Sequence, residues 1–185
     1  WALPGRPFGE YTDASSGALD GVTGATTLGA LKLGTVDPAD ISVVDNLLGA
    51  VGGSIGEVGA IALIIGFIYL LAVGIISWHI PVSILATVAV FSWAAGAPVA
   101  IELLSGGLLL GAIFMATDYV TSPMTRSGMI VYGILIGALT MVIRLWGAYP
   151  EGVSFAILLG NACTPLINRY FRPRRFGAER RKVAA

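Results

Sequence analysis

Charged side chains are scarce in this chain of 185 residues: they make up 12% of it, against 56% hydrophobic residues. Soluble domains carry about 25% charged residues, so the deficit excludes a disordered chain, a nucleic-acid-binding protein and an ordinary cytosolic enzyme. The sequence also has a single cysteine and a single histidine. It therefore cannot build, by itself, a disulfide scaffold, a thiolate zinc site, a cysteine-ligated iron–sulfur cluster or a bis-histidine haem. Apolar residues and 25 glycines instead predict an integral membrane protein, in which glycine lets helices approach closely.

The few charges are distributed unevenly along the chain. Residues 1–40 hold two basic and five acidic side chains, a balance of −3, and residues 41–125 contain no Lys or Arg. From Arg169, at the end of the last apolar run, the chain carries seven basic residues against a single acidic one. Cytoplasmic flanks of membrane spans are enriched in Lys and Arg, so we expect the C-terminus in the cytoplasm.

Five apolar runs, each near the roughly 20 residues that cross a bilayer, follow residue 57. They lie at about 58–77, 80–97, 99–117, 128–147 and 152–169. Five crossings place the acidic loop 1–40 outside the cell when the tail is inside. Residues 46–56 are apolar, rich in glycine and too short to span, which predicts a re-entrant half-helix. A short helix is expected from Thr27 to Leu33.

The predicted fold is therefore an all-α membrane protein, a polytopic transmembrane helix bundle with a re-entrant half-helix. Four segments follow from this prediction: an extracytoplasmic loop, a half-helix segment, five transmembrane helices and a basic cytoplasmic tail, at 1–40, 41–57, 58–170 and 171–185. The chain begins at Trp1 without the pattern of a signal peptide, and we expect it to be a piece of a longer protein.

Ionisable groups at membrane depth are functional candidates by default. Glu57 follows the half-helix, and a local capping or interfacial pairing role is the alternative for it. Asp118 lies with Thr121 and Ser122 in a polar loop between two runs. Such oxygens suit the edge of a flavin ring or a hard cation such as Na+; an interfacial turn fixed by Asp and Pro is the alternative.

Other polar residues in the apolar part are expected to have structural roles. Arg144, two residues before Trp146, is predicted to extend its side chain to the membrane interface. Glu102 is expected at the headgroup level and His79 at an interface between two spans. Cys163 is expected to be a small packing residue. No catalytic side chain and no metal site are predicted.

The segment DGVTGAT at 20–26 places hydroxyls among small residues. Glycine lets a bulky partner approach the backbone closely, so the Thr26 hydroxyl is a candidate attachment point. A threonine hydroxyl is a weak nucleophile, and covalent chemistry at this position needs outside activation. The alternative is a turn that caps the N-terminus of the following helix.

This segment resembles the flavinylation signature Asp-x-x-(Ser/Thr)-Gly-Ala-Thr of the membrane subunits of Rnf complexes and of Na+-translocating NADH:quinone reductases, the NqrB/RnfD family. Three more segments are similar to elements of that family: GGSIGE at 52–57, ATDYVTSPMT at 116–125 and YPEGVSFAILLGNA at 149–162. Tyr119 stands where the family usually has proline. The resemblance covers nearly the whole chain. It is strongest for the C-terminal half of Rnf D-type subunits, with the B subunit of the quinone reductase as the alternative.

The resemblance implies a subunit of an ion-translocating oxidoreductase that relays electrons between ferredoxin and NAD, coupled to Na+ or H+ transport. It implies FMN bound as a phosphoester to Thr26, with Asp20, Thr23, Gly24 and Ala25 completing the motif. A second, non-covalent flavin such as riboflavin is a further candidate cofactor.

Contacts to a flavin or an ion are expected from the following residues: Gly53, Ser54, Glu57, Asp118, Thr121 and Ser122. The implied partners are the other membrane and peripheral subunits of the complex, a flavin transferase and the lipid bilayer, with no nucleic acid. The implied location is the cytoplasmic membrane of a bacterium or archaeon.

Two other classes of function are compatible with the apolar runs. The family's fold resembles that of urea channels, and glycine-rich breaks are typical of transporters. A structural assembly subunit without a cofactor is the third possibility. Neither of these two classes requires the segment from Asp20 to Thr26, and so this motif discriminates between them and a redox subunit.

Overall fold

The computed structural model describes residues 26–32, 41–49, 56, 59–147, 149 and 151–171. Within these residues every regular element is helical. The helices are α1 (Thr27–Lys32), α2 (Val43–Leu48), α3 (Ala60–Val73), α4 (His79–Ala95), α5 (Val99–Leu104), α6 (Leu108–Leu110), a π-helical segment (Gly111–Met115), α7 (Arg126–Trp146) and α8 (Val153–Tyr170). The all-α prediction is confirmed for the described residues, and α1 confirms the short helix expected after the Thr26 motif.

Helices occupy four of the predicted runs within a few residues of the expected bounds. Glycine ends two of them: Gly74 follows α3 and Gly96 follows α4, each in the left-handed conformation (φ 76° and 71°) that other residues rarely adopt. Among the described residues, α7 alone is long and apolar enough to cross a membrane by length and composition; α3 and α4 are apolar but shorter. The count of five crossings stays a prediction.

The third run is not the continuous span that its composition predicts. α5 ends at Leu104, and Gly106 and Gly107 both take positive φ (68° and 64°) before α6 begins. α6 continues directly into the π-helical segment, where the amide of Ala116 donates to the carbonyl of Gly111 at 2.8 Å. Two adjacent glycines permit this interruption of the helix, which an apolarity pattern does not reveal. We call residues 105–107 the α5–α6 break.

The core forms where α4 and α7 lie side by side in the same direction. Small residues on α7 allow close approach: a β-carbon on Gly137 would lie 3.0 Å from the carbonyl oxygen of Ile84. α8 packs antiparallel on the other side of α7, with Gly160 against Tyr132 and Ile136. This is the contact by small residues that the glycine content predicts.

These directions give the bundle two ends, about 31 Å apart along the 21 residues of α7. The Lys32 end contains α1, the α5–α6 break, the C-terminus of α7 and the start of α8, held together by bonds from Lys32 and Arg144. The opposite end, which we call the Asp118 end, contains residues 116–125. Here the hydroxyl of Tyr119 donates to the carbonyl of Ile75 in the α3–α4 connection.

The predicted half-helix falls only partly on described residues. α2 spans Val43–Leu48. Ser42 caps its N-terminus, with its hydroxyl accepting from the amide of Asp45 at 3.2 Å, and Gly49 caps its C-terminus with φ 81°. Residues 50–55, 57 and 58 lie outside the described residues. A re-entrant course through the membrane therefore stays a prediction.

Candidate functional site

Thr26 immediately precedes α1 and caps its N-terminus. Its Oγ1 accepts a hydrogen bond from the amide of Gly29 at 3.3 Å, which satisfies one of the otherwise unpaired donors of a first helical turn. The side chain is half-buried, so the hydroxyl is neither enclosed in the core nor detached from it. The capping alternative is therefore observed, and it is compatible with attachment: an ester oxygen keeps a lone pair that can accept from Gly29.

α1 is fixed to the Lys32 end of the bundle by two side chains. Leu28 is 5% exposed and approaches Gly106 in the α5–α6 break so closely that a β-carbon there would overlap its Cδ1. Lys32 Nζ donates to three backbone carbonyls, those of Arg144 at 3.0 Å, Gly147 at 2.5 Å and Tyr149 at 3.1 Å. The helix that follows Thr26 thus has a defined place against α7.

Arg144 does not extend to the interface, and that prediction was wrong. Its side chain is buried and pairs with Glu102 of α5, with 2.7 Å between Nη1 and Oε2. The same Nη1 donates to the Glu102 carbonyl at 2.6 Å, and Nη2 donates to the Ser105 carbonyl at 3.0 Å. A helix end leaves its last carbonyls without intrahelical partners, and a guanidinium can satisfy several of them at once.

Glu102 was predicted at the headgroup level, and that depth stays a prediction; within the bundle its carboxylate is buried beside Arg144. A buried charge requires a partner. Nearby, the hydroxyl of Ser105 donates to Oδ1 of Asn46 at 3.2 Å, and Nδ2 of Asn46 donates to the carbonyl of Ser42 at 3.0 Å. The α5–α6 break therefore joins α2, α5 and α7 through polar contacts.

The polar loop with Asp118, Thr121 and Ser122 lies at the other end of the bundle. Oγ1 of Thr121 donates to Oδ2 of Asp118 at 3.1 Å, and the amide of Ser122 donates to the Asp118 carbonyl at 3.2 Å. The Asp118 side chain is exposed. The structure thus shows the Asp-fixed turn that was the alternative interpretation, and it does not bring this loop to Thr26.

The other predicted site residues cannot be placed. They lie outside the described residues: Asp20, Thr23, Gly24, Ala25, Gly53, Ser54 and Glu57. Within the described residues, no group of three or more His, Cys, Asp or Glu side chains could hold a metal ion.

The structure also places His79 and Cys163, which lie outside the predicted site. His79 begins α4 and stacks on Trp78 with 4.2 Å between ring centroids. Cys163 is partly buried and packs against the core, as predicted.

Sequence reasoning missed Lys32, Leu28 and the Arg144–Glu102 pair as parts of the Thr26 environment. The pair did carry a signal, since a basic and an acidic residue both occur inside apolar runs, where charges are costly unless paired. Lys32 carried none. Its partners are backbone carbonyls 112–117 residues away.

Residues 1–177 match the model of the NQR2, RnfD, RnfE family. The D subunit of the Na(+)-translocating ferredoxin:NAD(+) oxidoreductase complex of Acetobacterium woodii is 48% identical over 168 residues, covering 90% of this chain and 52% of that protein. The D subunit of the proton-translocating ferredoxin:NAD(+) oxidoreductase complex of Clostridium ljungdahlii is 42% identical over 184 residues (92% and 56%). The D subunit of the ion-translocating oxidoreductase complex of Stutzerimonas stutzeri is 41% identical over 207 residues (98% and 58%).

The chain spans about half the length of these curated relatives. The similarity nevertheless runs along nearly all of this chain and confirms the resemblance inferred from the four motifs. With 177 of its 185 residues matched, the chain belongs to the NQR2, RnfD, RnfE family.

Proposed function

We propose that this chain is part of a membrane subunit of an Rnf-type ion-translocating ferredoxin:NAD oxidoreductase, carrying FMN as a phosphoester on Thr26. The names of the relatives support the complex and the subunit, since all three are D subunits of ion-translocating oxidoreductases. The proposed partners are the other subunits of that complex and, during maturation, a flavin transferase. The B subunit of a Na+-translocating quinone reductase is the less favoured alternative.

The observation that carries the flavin proposal is the position of Thr26 at the end of DGVTGAT. Its hydroxyl lies at the first turn of a helix docked on the bundle, half-exposed and with one hydrogen bond to Gly29. A large group can be attached there without displacing a packed core. FMN supplies the electron-carrying ring when it is bound, and the chain supplies the position and surroundings of that ring.

The membrane topology is a second part of the proposal. Five crossings in the cytoplasmic membrane place loop 1–40 outside the cell and the basic tail inside. The two ends of the bundle support this arrangement: Lys32 binds the segment that follows α7, which five crossings also place outside. The loop around Asp118 then faces the cytoplasm.

The candidate contacts around Asp118 belong to a separate site in this proposal. Asp118, Thr121 and Ser122 lie at the opposite end of the 21-residue α7 from Thr26, too far for one flavin to touch both. We propose these three residues as contacts for a second, non-covalent flavin such as riboflavin or for the coupling ion. Gly53, Ser54 and Glu57 stay predicted contacts for a flavin or an ion and are not assigned to this end of the bundle. The relatives are named for both Na+ and H+ transport, so either ion is compatible.

A urea-channel-like transporter is the competing function from another class, since a broken helix such as α5–α6 is typical of transporters. A transporter needs no attached flavin. The presence or absence of covalent flavin on the full-length protein therefore decides between the two proposals.

The test uses the full-length protein purified from its native membranes. After denaturation, the band of the wild-type protein is expected to carry yellow flavin fluorescence. Thr26→Val is expected to abolish this fluorescence, and the matched control Thr27→Val is expected to retain it. A colourless wild-type band, from cells that contain the flavin transferase, contradicts the redox function; a fluorescent Thr26→Val band contradicts the acceptor assignment.

A further inference from the structure

We propose that Lys32 is a positioning residue: its ammonium group holds α1 on the C-terminal end of α7 and so fixes the place of Thr26. The inference rests on the proposed flavin attachment at Thr26 for its functional meaning. The docking of α1 can be measured without a flavin, which keeps the two proposals separable.

α1 cannot maintain its own structure. It has six residues, and isolated helices shorter than about 12 residues are marginal in water because nucleation is costly. Its helical conformation must therefore come from contacts with the rest of the protein. Thr26, as the capping residue, depends on those same contacts.

The contacts of Lys32 fully occupy its ammonium group. Nζ has three donors, and three backbone oxygens accept from it, at 3.0, 2.5 and 3.1 Å. These carbonyls belong to Arg144, Gly147 and Tyr149, in the last turn of α7 and just beyond it. Carbonyls at a helix C-terminus carry partial negative charge and favour a cation. Lys32 is an exposed residue, but the match of three donors to three acceptors distinguishes it from a surface lysine that bonds only to water.

The surface that receives α1 is itself held in place. Arg144, whose carbonyl accepts from Lys32, uses its guanidinium to bind Glu102 and the carbonyls of Ser105 and Gly106. Gly106 in turn lies against Leu28 of α1. The buried ion pair thus ties together both surfaces that α1 touches.

The distance from this anchor to the attachment point is short. Thr26 and Lys32 are six residues apart, about 9 Å along a helix. If Lys32 releases the end of α7, α1 loses most of its polar contacts and Thr26 is no longer fixed relative to the bundle. A group attached at Thr26 would then sample a wider range of positions, which slows transfer between carriers held at defined distances.

The first experiment measures docking. Lys32→Met removes the ammonium and keeps the length of the side chain, and Lys32→Arg retains a charge and donors. Arg126→Met, an exposed cation at the Asp118 end of α7, is the matched control. In the full-length protein assembled with its partner subunits, amide hydrogen exchange across residues 27–32 is expected to accelerate about tenfold or more in Lys32→Met. Lys32→Arg is expected to restore part of the protection, and Arg126→Met to leave exchange unchanged.

The second experiment measures the consequence for the attached group. Lys32→Met is expected to retain covalent flavin at the wild-type level after denaturation. In the native protein it is expected to lower the fluorescence anisotropy of that flavin and to slow electron transfer through the complex. If Lys32→Met fails to accumulate, Leu28→Ala tests the same docking surface with the same readouts.

The outcomes separate the two proposals. Unchanged exchange in α1, or accelerated exchange with unchanged anisotropy and electron transfer, overturns the positioning role of Lys32. A wild-type protein without covalent flavin overturns the proposed function of Thr26 and, with it, the functional meaning of the docking, whatever the exchange rates are.

Discussion

The guanidinium of Arg144 and the carboxylate of Glu102 form an ion pair inside the helix bundle, 2.7 Å apart and both at least nine-tenths buried. The pair joins the last turn of α7 to the end of α5, across 42 residues of sequence. Because Arg144 also donates to carbonyls of the α5–α6 break, it satisfies backbone groups that the broken helix leaves without intrahelical partners. Arg144 therefore serves two purposes: it satisfies carbonyls of the partly buried break, and its charge is paired with that of Glu102.

Removing one member of this pair is expected to be costly. Arg144→Met leaves a buried carboxylate and several carbonyls without their donor, which should lower the free energy of unfolding by about 3–5 kcal/mol. The exposed Arg126→Met should change it by less than about 0.5 kcal/mol. Denaturant titration in detergent measures both. The double variant Glu102→Gln/Arg144→Met should lose less than the sum of the single variants, and strict additivity would contradict the pairing.

The contact between α2 and the α5–α6 break gives a second prediction. Asn46 is 2% exposed, and its Oδ1 accepts from Ser105 Oγ. Asn46→Leu should destabilise the protein by about 1–3 kcal/mol because it leaves the buried Ser105 hydroxyl without this acceptor. A double-mutant cycle with Ser105→Ala should give a coupling of about 1 kcal/mol. Zero coupling would show that the two side chains do not interact.

Close packing of α4 against α7 gives a third prediction. A β-carbon on Gly137 would lie 2.8 Å from Cβ of Thr87 and 3.0 Å from the Ile84 carbonyl oxygen, so Gly137→Ala should cost about 1–3 kcal/mol through overpacking. Gly59→Ala is the matched control, since its β-carbon would meet Ala62 at an ordinary 3.6 Å. Thermal unfolding of the purified variants compares them. Equal midpoints would contradict the packing of α4 on α7.

The proposed topology gives a fourth prediction. Tyr149 and Met124 are exposed at opposite ends of the bundle, at 61% and 82%. In a Cys163→Ala background, Tyr149→Cys should react with a membrane-impermeant maleimide from outside the cytoplasmic membrane. Met124→Cys should react only after the cytoplasmic side is opened. Labelling of both positions from the same side would rule out the proposed arrangement of spans.

Much of the fold could be predicted because it depends on local properties of the chain. Apolar runs and the positions of proline and glycine located α3, α4, α7 and α8 to within a few residues. The Thr-rich segment before α1 predicted both a cap and a short helix, and both are present. Such features follow from the residues' own conformational preferences and hydrophobicity, which the sequence states directly.

Of the proposed Thr26 site, only Thr26 itself carried a signal in the sequence, through its motif. Arg144 was assigned to the interface because a long basic side chain near a span end usually reaches water. The prediction failed because Glu102 and the carbonyls of the break lie within its reach, and nothing in the local pattern indicates that proximity. Lys32 was missed for the same reason, since its acceptors are backbone atoms and carry no signature in the residue types.

The sequence by itself determined the class of the protein, its helical content and its membership of a family whose motifs it carries. These properties follow from local hydrophobicity, from charge and from short motifs. Tertiary structure alone decided that the third run breaks after α5, that Glu102 and Arg144 neutralise each other, and that Lys32 docks α1 beside them. Those outcomes depend on which distant groups meet in space. The packing of the helices decides which partner lies within hydrogen-bonding distance of a buried charge or of a carbonyl at a helix end.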